Sequence, residues 1–187
     1  MQREDEYYRL KEAWTNLSPD AECFQKVKLM HDMISKDVPR CDRMHAFFYS
    51  ENNGNLKDLQ EILNTYMFYR HEQGYDQSMP DLVSPFLYLV KNKPESFWLF
   101  VNLMNFREKI FHVSELNLYD VLCDLTLLIK FFFPTFYSHQ NWDLFYISSF
   151  FGRLKLDFKR DYGLENILRL WEVFYLIFLF RLFGLKI

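Results

Sequence analysis

Residues 56–67 limit the possible folds more than any other stretch. Leu56, Leu59, Ile62, Leu63, Tyr66 and Met67 recur at spacings of three and four, while Lys57, Asp58, Gln60, Glu61 and Asn64 fill the opposite side. A helix gathers such residues on one face, whereas the two-residue repeat of a strand would scatter them over both. The pattern returns along the chain. Tyr7, Leu10, Trp14 and Leu17 mark a first helix, and Phe24, Val27, Met30 and Ile34 a second. Pro39 should end the second, because the residue before a proline is pushed toward extended geometry, leaving Arg40 on a stiff, extended connection. Asp42–Tyr49 is expected to form a short helix turning Phe47 and Phe48 inward. Glu51–Asn55 is turn chemistry, with Asn55 capping the long helix. Gly74 suits that helix's left-handed stop, and Ser78 with Asp81 has the spacing of a capping box for the next helix.

Pro94 opens a helix through Phe97, Trp98, Val101, Leu103 and Met104. A further helix is expected over 116–133, with Leu118, Val121, Leu122, Leu125 and Ile129 facing in, until Pro134 breaks it. The last two are expected over 144–158 and 164–183. With no hairpin signal, low-complexity linker or internal repeat, the expectation is an all-α, multi-helix fold without a sheet, forming one domain over residues 1–187.

Composition removes several function classes. Half of the 187 residues are hydrophobic and a quarter charged, which argues against disorder. A net charge of −3 gives no electrostatic case for nucleic acid. Cys23, Cys41 and Cys123 lie far apart, and the charged start Met1-Gln-Arg-Glu-Asp is unlike a signal peptide, so free thiols and a cytoplasmic location are expected. The apolar run Val173–Phe180 falls well below the roughly 18 residues of a spanning helix, so no transmembrane segment is expected. His31, His45, His71, His112 and His139 lack metal-site spacing. The chain has neither a G-x-x-x-x-G-K phosphate loop nor a G-x-S-x-G elbow. Arg43, Arg70, Arg107, Arg160 and Arg169 are read as surface ion-pair residues.

Two loops remain. Ile34-Ser-Lys-Asp-Val-Pro-Arg40 offers an arginine where a helix stops, and Gly74-Tyr-Asp-Gln-Ser-Met79 offers a glutamine at the mouth of the next. The first resembles the I-x-x-D-x-x-R motif of TBC-domain Rab GTPase-activating proteins, and the second their Y-x-Q-G-M motif. Asp81-Leu-Val-Ser-Pro85, Phe97-Trp98, Phe158-Lys-Arg160 and Leu168-Arg-Leu-Trp-Glu-Val173 are similar to the family's flanking blocks. The resemblance covers roughly Asp5 to Val173 and is strongest to the branch of members fifteen and seventeen. It implies an all-helical domain that docks on a GTP-bound Rab, with Arg40 as arginine finger, Gln77 as glutamine finger, and Asp37 and Tyr75 supporting the two loops. A cation for the charge building on the phosphate and an amide to orient the attacking water are what speeds GTP hydrolysis. No cofactor of its own is implied, since GTP and Mg are bound by the partner GTPase; any membrane association is peripheral, on endomembranes through that partner.

The sequence also departs from the pattern. Ser78 stands where the family has glycine, bringing a side chain near the docking rim. Cys41 replaces a threonine, and Gly152-Arg153 replaces an Arg-Trp pair, placing a weak helix former mid-helix. The family's opening R-x-x-x-W helix is absent, and the sequence after Val173 is unlike its closing helices, so the match looks truncated at both ends. Exposed apolar faces are the expected consequence. The alternative reading is a catalytically impaired module that only binds a small GTPase or a scaffold.

Overall fold

The computed structural model describes residues 2–50, 53–107, 115–139, 150 and 152–182, and among these the backbone is helical or in turns, with no strand. Helices α1 (Gln2–Thr15) and α2 (Phe24–Asp37) precede α3 (Gly54–Tyr69); α4 (Met79–Val90) and α5 (Lys93–Phe106) follow it. After them come α6 (Glu115–Phe132), α7 (Pro134–His139) and α8 (Leu164–Leu182), with 3₁₀ turns at Val38–Arg40 and Lys159–Asp161. The all-α expectation is met.

Helix α3 is the axis of the core, and α1, α2, α4 and α5 all pack on it. Its expected apolar stripe is buried in full, and burial runs without a break from Ile62 to Met67. That continuity is what a helix enclosed on most sides requires. Asn64, expected on the outer face, is therefore buried. The same turn is covered by α1, whose Trp14 Nε1 donates to Thr65 Oγ1 at 3.0 Å. Polar residues on α3 become ties between helices: Glu61 accepts from Tyr7 Oη at 2.9 Å, Lys11 Nζ at 2.8 Å and Lys93 Nζ at 3.2 Å. Burial alone would raise the Glu61 carboxyl, but the two lysines and Tyr7 hold it below its ordinary value.

The ends of α3 correct two expectations. Asn53, rather than Asn55, is the cap and accepts from the Asn55 N–H at 2.7 Å. Both amide side chains donate to the Phe47 carbonyl, each at 2.8 Å, which fixes the preceding loop. At the other end the helix stops at Tyr69, while Gly74 takes its positive φ of 78° in the loop beyond. Asp42–Tyr49 is a series of turns instead of a helix, since Asp42 adopts a left-handed φ of 48° that interrupts any helical path. Phe48 is nonetheless fully buried and Phe47 packs against the core.

On α6, Leu122 is buried and Leu125 and Ile129 are half-buried, as expected; the side chains of Leu118 and Val121 lie outside the described residues. Leu127, Leu128, Phe131, Phe132 and Phe133 are exposed. Of the helix expected over 144–158, residues 144–149 and 151 lie outside the described residues; 150 and 152–155 are helical, and the chain leaves the helix in turns at 156–158. Helix α8 rests on α4 through Phe86 and Trp171, with ring centroids 5.7 Å apart. Among the described residues no helix is long and apolar enough to cross a membrane.

Arg107 is the clearest correction from surface to interior. Its side chain is 1% exposed; Nη1 donates to Asp157 Oδ2 at 2.6 Å and Nη2 to the Leu154 carbonyl at 2.8 Å. Arg169, by contrast, is 84% exposed beside Glu172. Removing one partner of a buried ion pair strands the other charge and costs about 3–5 kcal/mol. Arg107→Ala is expected to lower the urea midpoint by about that equivalent, while Arg169→Ala shifts it by less than about 0.5 kcal/mol. Paired equilibrium denaturation curves measure the contrast.

Candidate functional site

The buried stripe of α2 ends at Ile34, which is wholly inaccessible, and the chain then tightens without leaving helical geometry. Val38 was expected to be extended before Pro39 but has φ −55° and ψ −44°, and its N–H donates to the Ile34 carbonyl. The local reason is the 3₁₀ turn at Val38–Arg40: Pro39 occupies an opening position, where its missing N–H deprives the turn of nothing. Val38 is buried and anchors the turn. Extended backbone begins only at Cys41, with φ −72° and ψ 129°. Arg40 thus projects from a turn, its side chain 67% exposed, and Nη2 donates to Asp37 Oδ1 at 2.5 Å.

The second loop comes to the same carboxylate. Tyr75 is half-buried and its hydroxyl donates to Asp37 Oδ2 at 3.0 Å. Burial, reinforced by the neighbouring Asp37 carboxylate, pushes the phenol well above its ordinary pKa, so it stays protonated and remains a donor. Gln77 is exposed, and its Nε2 donates to Asp37 Oδ1 at 3.3 Å. Arg40, Tyr75 and Gln77, from two loops, therefore converge on Asp37. A cavity of about 220 Å³ opens beside them, lined by Arg40, Gln77, Cys41, Pro80 and Asp81 among others. An exposed guanidinium and an exposed carboxamide share this rim, a donor set suited to an oxyanion and a water molecule.

Sequence reasoning missed the layer underneath. Asp42 accepts from Ser84 Oγ and from Lys159 Nζ, each at 2.5 Å, and the Cys41 thiol lies 3.6 Å from it. Burial, then the Asp42 carboxylate, pushes the Cys41 thiol up, which favours the protonated form. Arg160, read as a surface ion-pair residue, does pair: its Nε and Nη2 donate to Asp81 Oδ2 at 3.0 and 2.7 Å. The only sequence signal was the Phe158-Lys-Arg160 block, which announces cations but not their partners.

Residues 2–187 match the family model described as Rab-GTPase-TBC domain. The chain belongs to this family. It is similar to TBC1 domain family member 17 of Homo sapiens, 35% identical over 173 residues that make up 90% of this chain and 26% of that protein. Similarity extends to GTPase-activating protein GYP7 of Candida glabrata, 32% identical over 200 residues, or 91% of this chain and 26% of the relative. Human TBC1 domain family member 16 is 30% identical over 177 residues. The chain spans about a quarter of the length of the curated relatives it matches.

Against the family pattern, Ser78 proves harmless to the backbone. Its φ is −84°, so the position does not need glycine, and its hydroxyl turns inward to donate to Asp76 Oδ1. The expected capping box is not formed, because the Ser78 side chain is occupied by Asp76, whose carboxylate also accepts the Ser78 N–H at 2.8 Å. Gly152 lies in the helical turn before Lys155, and a Cβ there would meet nothing within 4 Å. Its neighbour Arg153 pairs with Asp161 at 3.1 Å.

Asp76 gives this TBC-family loop a measurable pH signature. Burial would raise its carboxyl, but Lys155 at 2.5 Å and the two Ser78 bonds hold it below the ordinary 3.8. A depressed folded pKa means that the ionised group stabilises the fold above pH 3.8 and that this share is lost as pH falls through the folded value. Wild type is therefore expected to exceed Asp76→Asn in stability near neutrality and to converge on it below pH 3.8. Denaturation midpoints across the acid range measure this; a gap constant with pH would contradict it.

Proposed function

We propose that this chain accelerates GTP hydrolysis by a Rab-type small GTPase, lending Arg40 as arginine finger and Gln77 as glutamine finger. The observation that carries this reading is the convergence of both side chains on the Asp37 carboxylate, at 2.5 and 3.3 Å. Two groups with complementary roles in phosphoryl transfer are thereby stored side by side on one exposed rim. The guanidinium, planar and always ionised, meets the charge spreading over the transferring phosphate; the carboxamide orients the attacking water. GTP and Mg belong to the GTPase, and the chain contributes side chains alone. Association with endomembranes follows from the partner, with the chain itself cytoplasmic.

Release of the stored side chains is easy. Arg40 is mostly exposed, so its guanidinium can leave Asp37 for a negatively charged phosphate without first being uncovered. Tyr75 remains on Asp37 while the fingers swing out, keeping the carboxylate in place. The binding-only alternative loses one of its motives, since the Ser78 hydroxyl faces Asp76 rather than the rim.

A screen of GTP-loaded Rab proteins against catalytic amounts of the chain is the direct test. One or more is expected to hydrolyse GTP faster, and Arg40→Ala or Gln77→Ala to remove about 10³-fold of the acceleration. A folded Arg40→Ala protein with undiminished acceleration would exclude the finger assignment.

A further inference from the structure

We propose that Lys155, Lys159 and Arg160 form a positioning clamp that sets the separation of Arg40 and Gln77, with Lys155 and Lys159 acting only through other residues. This rests on the reading of Arg40 and Gln77 as the fingers. The cations reach each finger loop separately. Lys155 Nζ donates to Asp76 Oδ2 at 2.5 Å, directly before Gln77. Lys159 is 3% exposed; its Nζ donates to Asp42 Oδ1 at 2.5 Å, just past Arg40, and lies 3.9 Å from Asp81 Oδ1 on the first turn of α4. Arg160 grips the other oxygen of Asp81 through Nε and Nη2. One short segment thus joins the loop after α2 to both sides of Gln77.

The segment has its own anchorage. Asp157 and Phe158 take consecutive positive φ values of 46° and 63°, a reversal that non-glycine residues adopt only when held. The hold comes from Arg107 and Tyr175 on the Asp157 carboxylate, at 2.6 and 3.1 Å, and from Trp171 Nε1 on its carbonyl at 3.0 Å. The reversal sends Lys159 inward and leaves Arg160 at the surface, its side chain 64% exposed. Asp42, which receives Lys159, is itself left-handed at φ 48°. Neither lysine lines the cavity between the fingers. Lys155 borders Gln77 only in an adjoining cavity of about 610 Å³. Both lysines are bonded to loop carboxylates, so their effect on chemistry is expected to pass through the loops they hold.

Single-turnover hydrolysis with a responsive Rab separates positioning from docking, using Lys155→Ala and Lys159→Met, each alone and combined with Gln77→Ala. A misplacement of about 1 Å costs on the order of 10²-fold, so each single variant is expected to lose that much in maximal rate. The half-saturating concentration should move less than about twofold, as befits a group acting at the transition state rather than in docking. In the Gln77→Ala background Lys155→Ala should add no further loss. A cooperatively melting variant with wild-type maximal rate, or one impaired only in half-saturation, overturns the clamp. If Lys159→Met fails to melt cooperatively, Lys155→Ala, altering a side chain 21% exposed, decides alone. If wild type accelerates no Rab, the functional reading fails by itself, and the clamp is then judged by NMR of the Gln77 carboxamide and the Arg40 guanidinium. In Lys155→Ala the Gln77 signals are expected to move toward those of a free side chain; unchanged signals overturn the proposal.

Discussion

The carboxylate of Asp37 is the interaction on which the candidate site depends. An ionised carboxylate is an acceptor only, with room for several donors, and this one serves Arg40, Tyr75 and Gln77 from two separate loops. A single exposed arginine–aspartate pair would specify little. Here the aspartate is only 12% exposed and the phenol of Tyr75 fixes its second oxygen, so the acceptor is preorganised before Arg40 or Gln77 rests on it. Its seat is set by the end of α2 and the 3₁₀ turn after it, where Ile34 and Val38 are buried and both elements pack on α3.

That seat is transmitted by one helix. α3 packs on α2, on the 3₁₀ turn carrying Arg40, and on α4, which begins just after Gln77. Its unbroken buried run from Ile62 to Met67 leaves it little freedom to slide. Asn53 and Asn55 tie its first turn to the Phe47 carbonyl, so the loop beyond Arg40 is fastened at its far end as well. A rigid element that follows the Arg40 turn in sequence and precedes the Gln77 loop converts core packing into site geometry.

What the sequence made legible follows from what repeats. The helices α1, α2, α3 and α5 could be read because their apolar residues recur with the helical period, and burial of Leu56, Leu59, Ile62, Leu63, Tyr66 and Met67 follows that period without exception. Arg40, Gln77, Asp37 and Tyr75 were found through a resemblance in two short motifs, and the structure brings them onto one carboxylate. The failures have other causes, one local and the others long-range. Val38 stays helical because the 3₁₀ turn absorbs Pro39; Asp42 leaves the helical region within reach of Lys159, which is 117 positions away. Arg107 is buried by Asp157, 50 positions away. Charge ties across such separations have no period, so local pattern cannot announce them.

These ties also show why the polar layer under the rim is ionic. A buried lysine or arginine pair adds little net stability over well-packed apolar residues, because desolvation offsets most of its attraction. What it adds is direction. Apolar side chains at positions 159 and 42 would fill the space yet accept many relative placements, whereas an ammonium bonded at 2.5 Å admits few. Arg107, Lys159 and Asp157 lie around one backbone reversal, so the directional bonds are concentrated where the chain turns back to meet both loops. The core supplies cohesion, and the buried charges fix register.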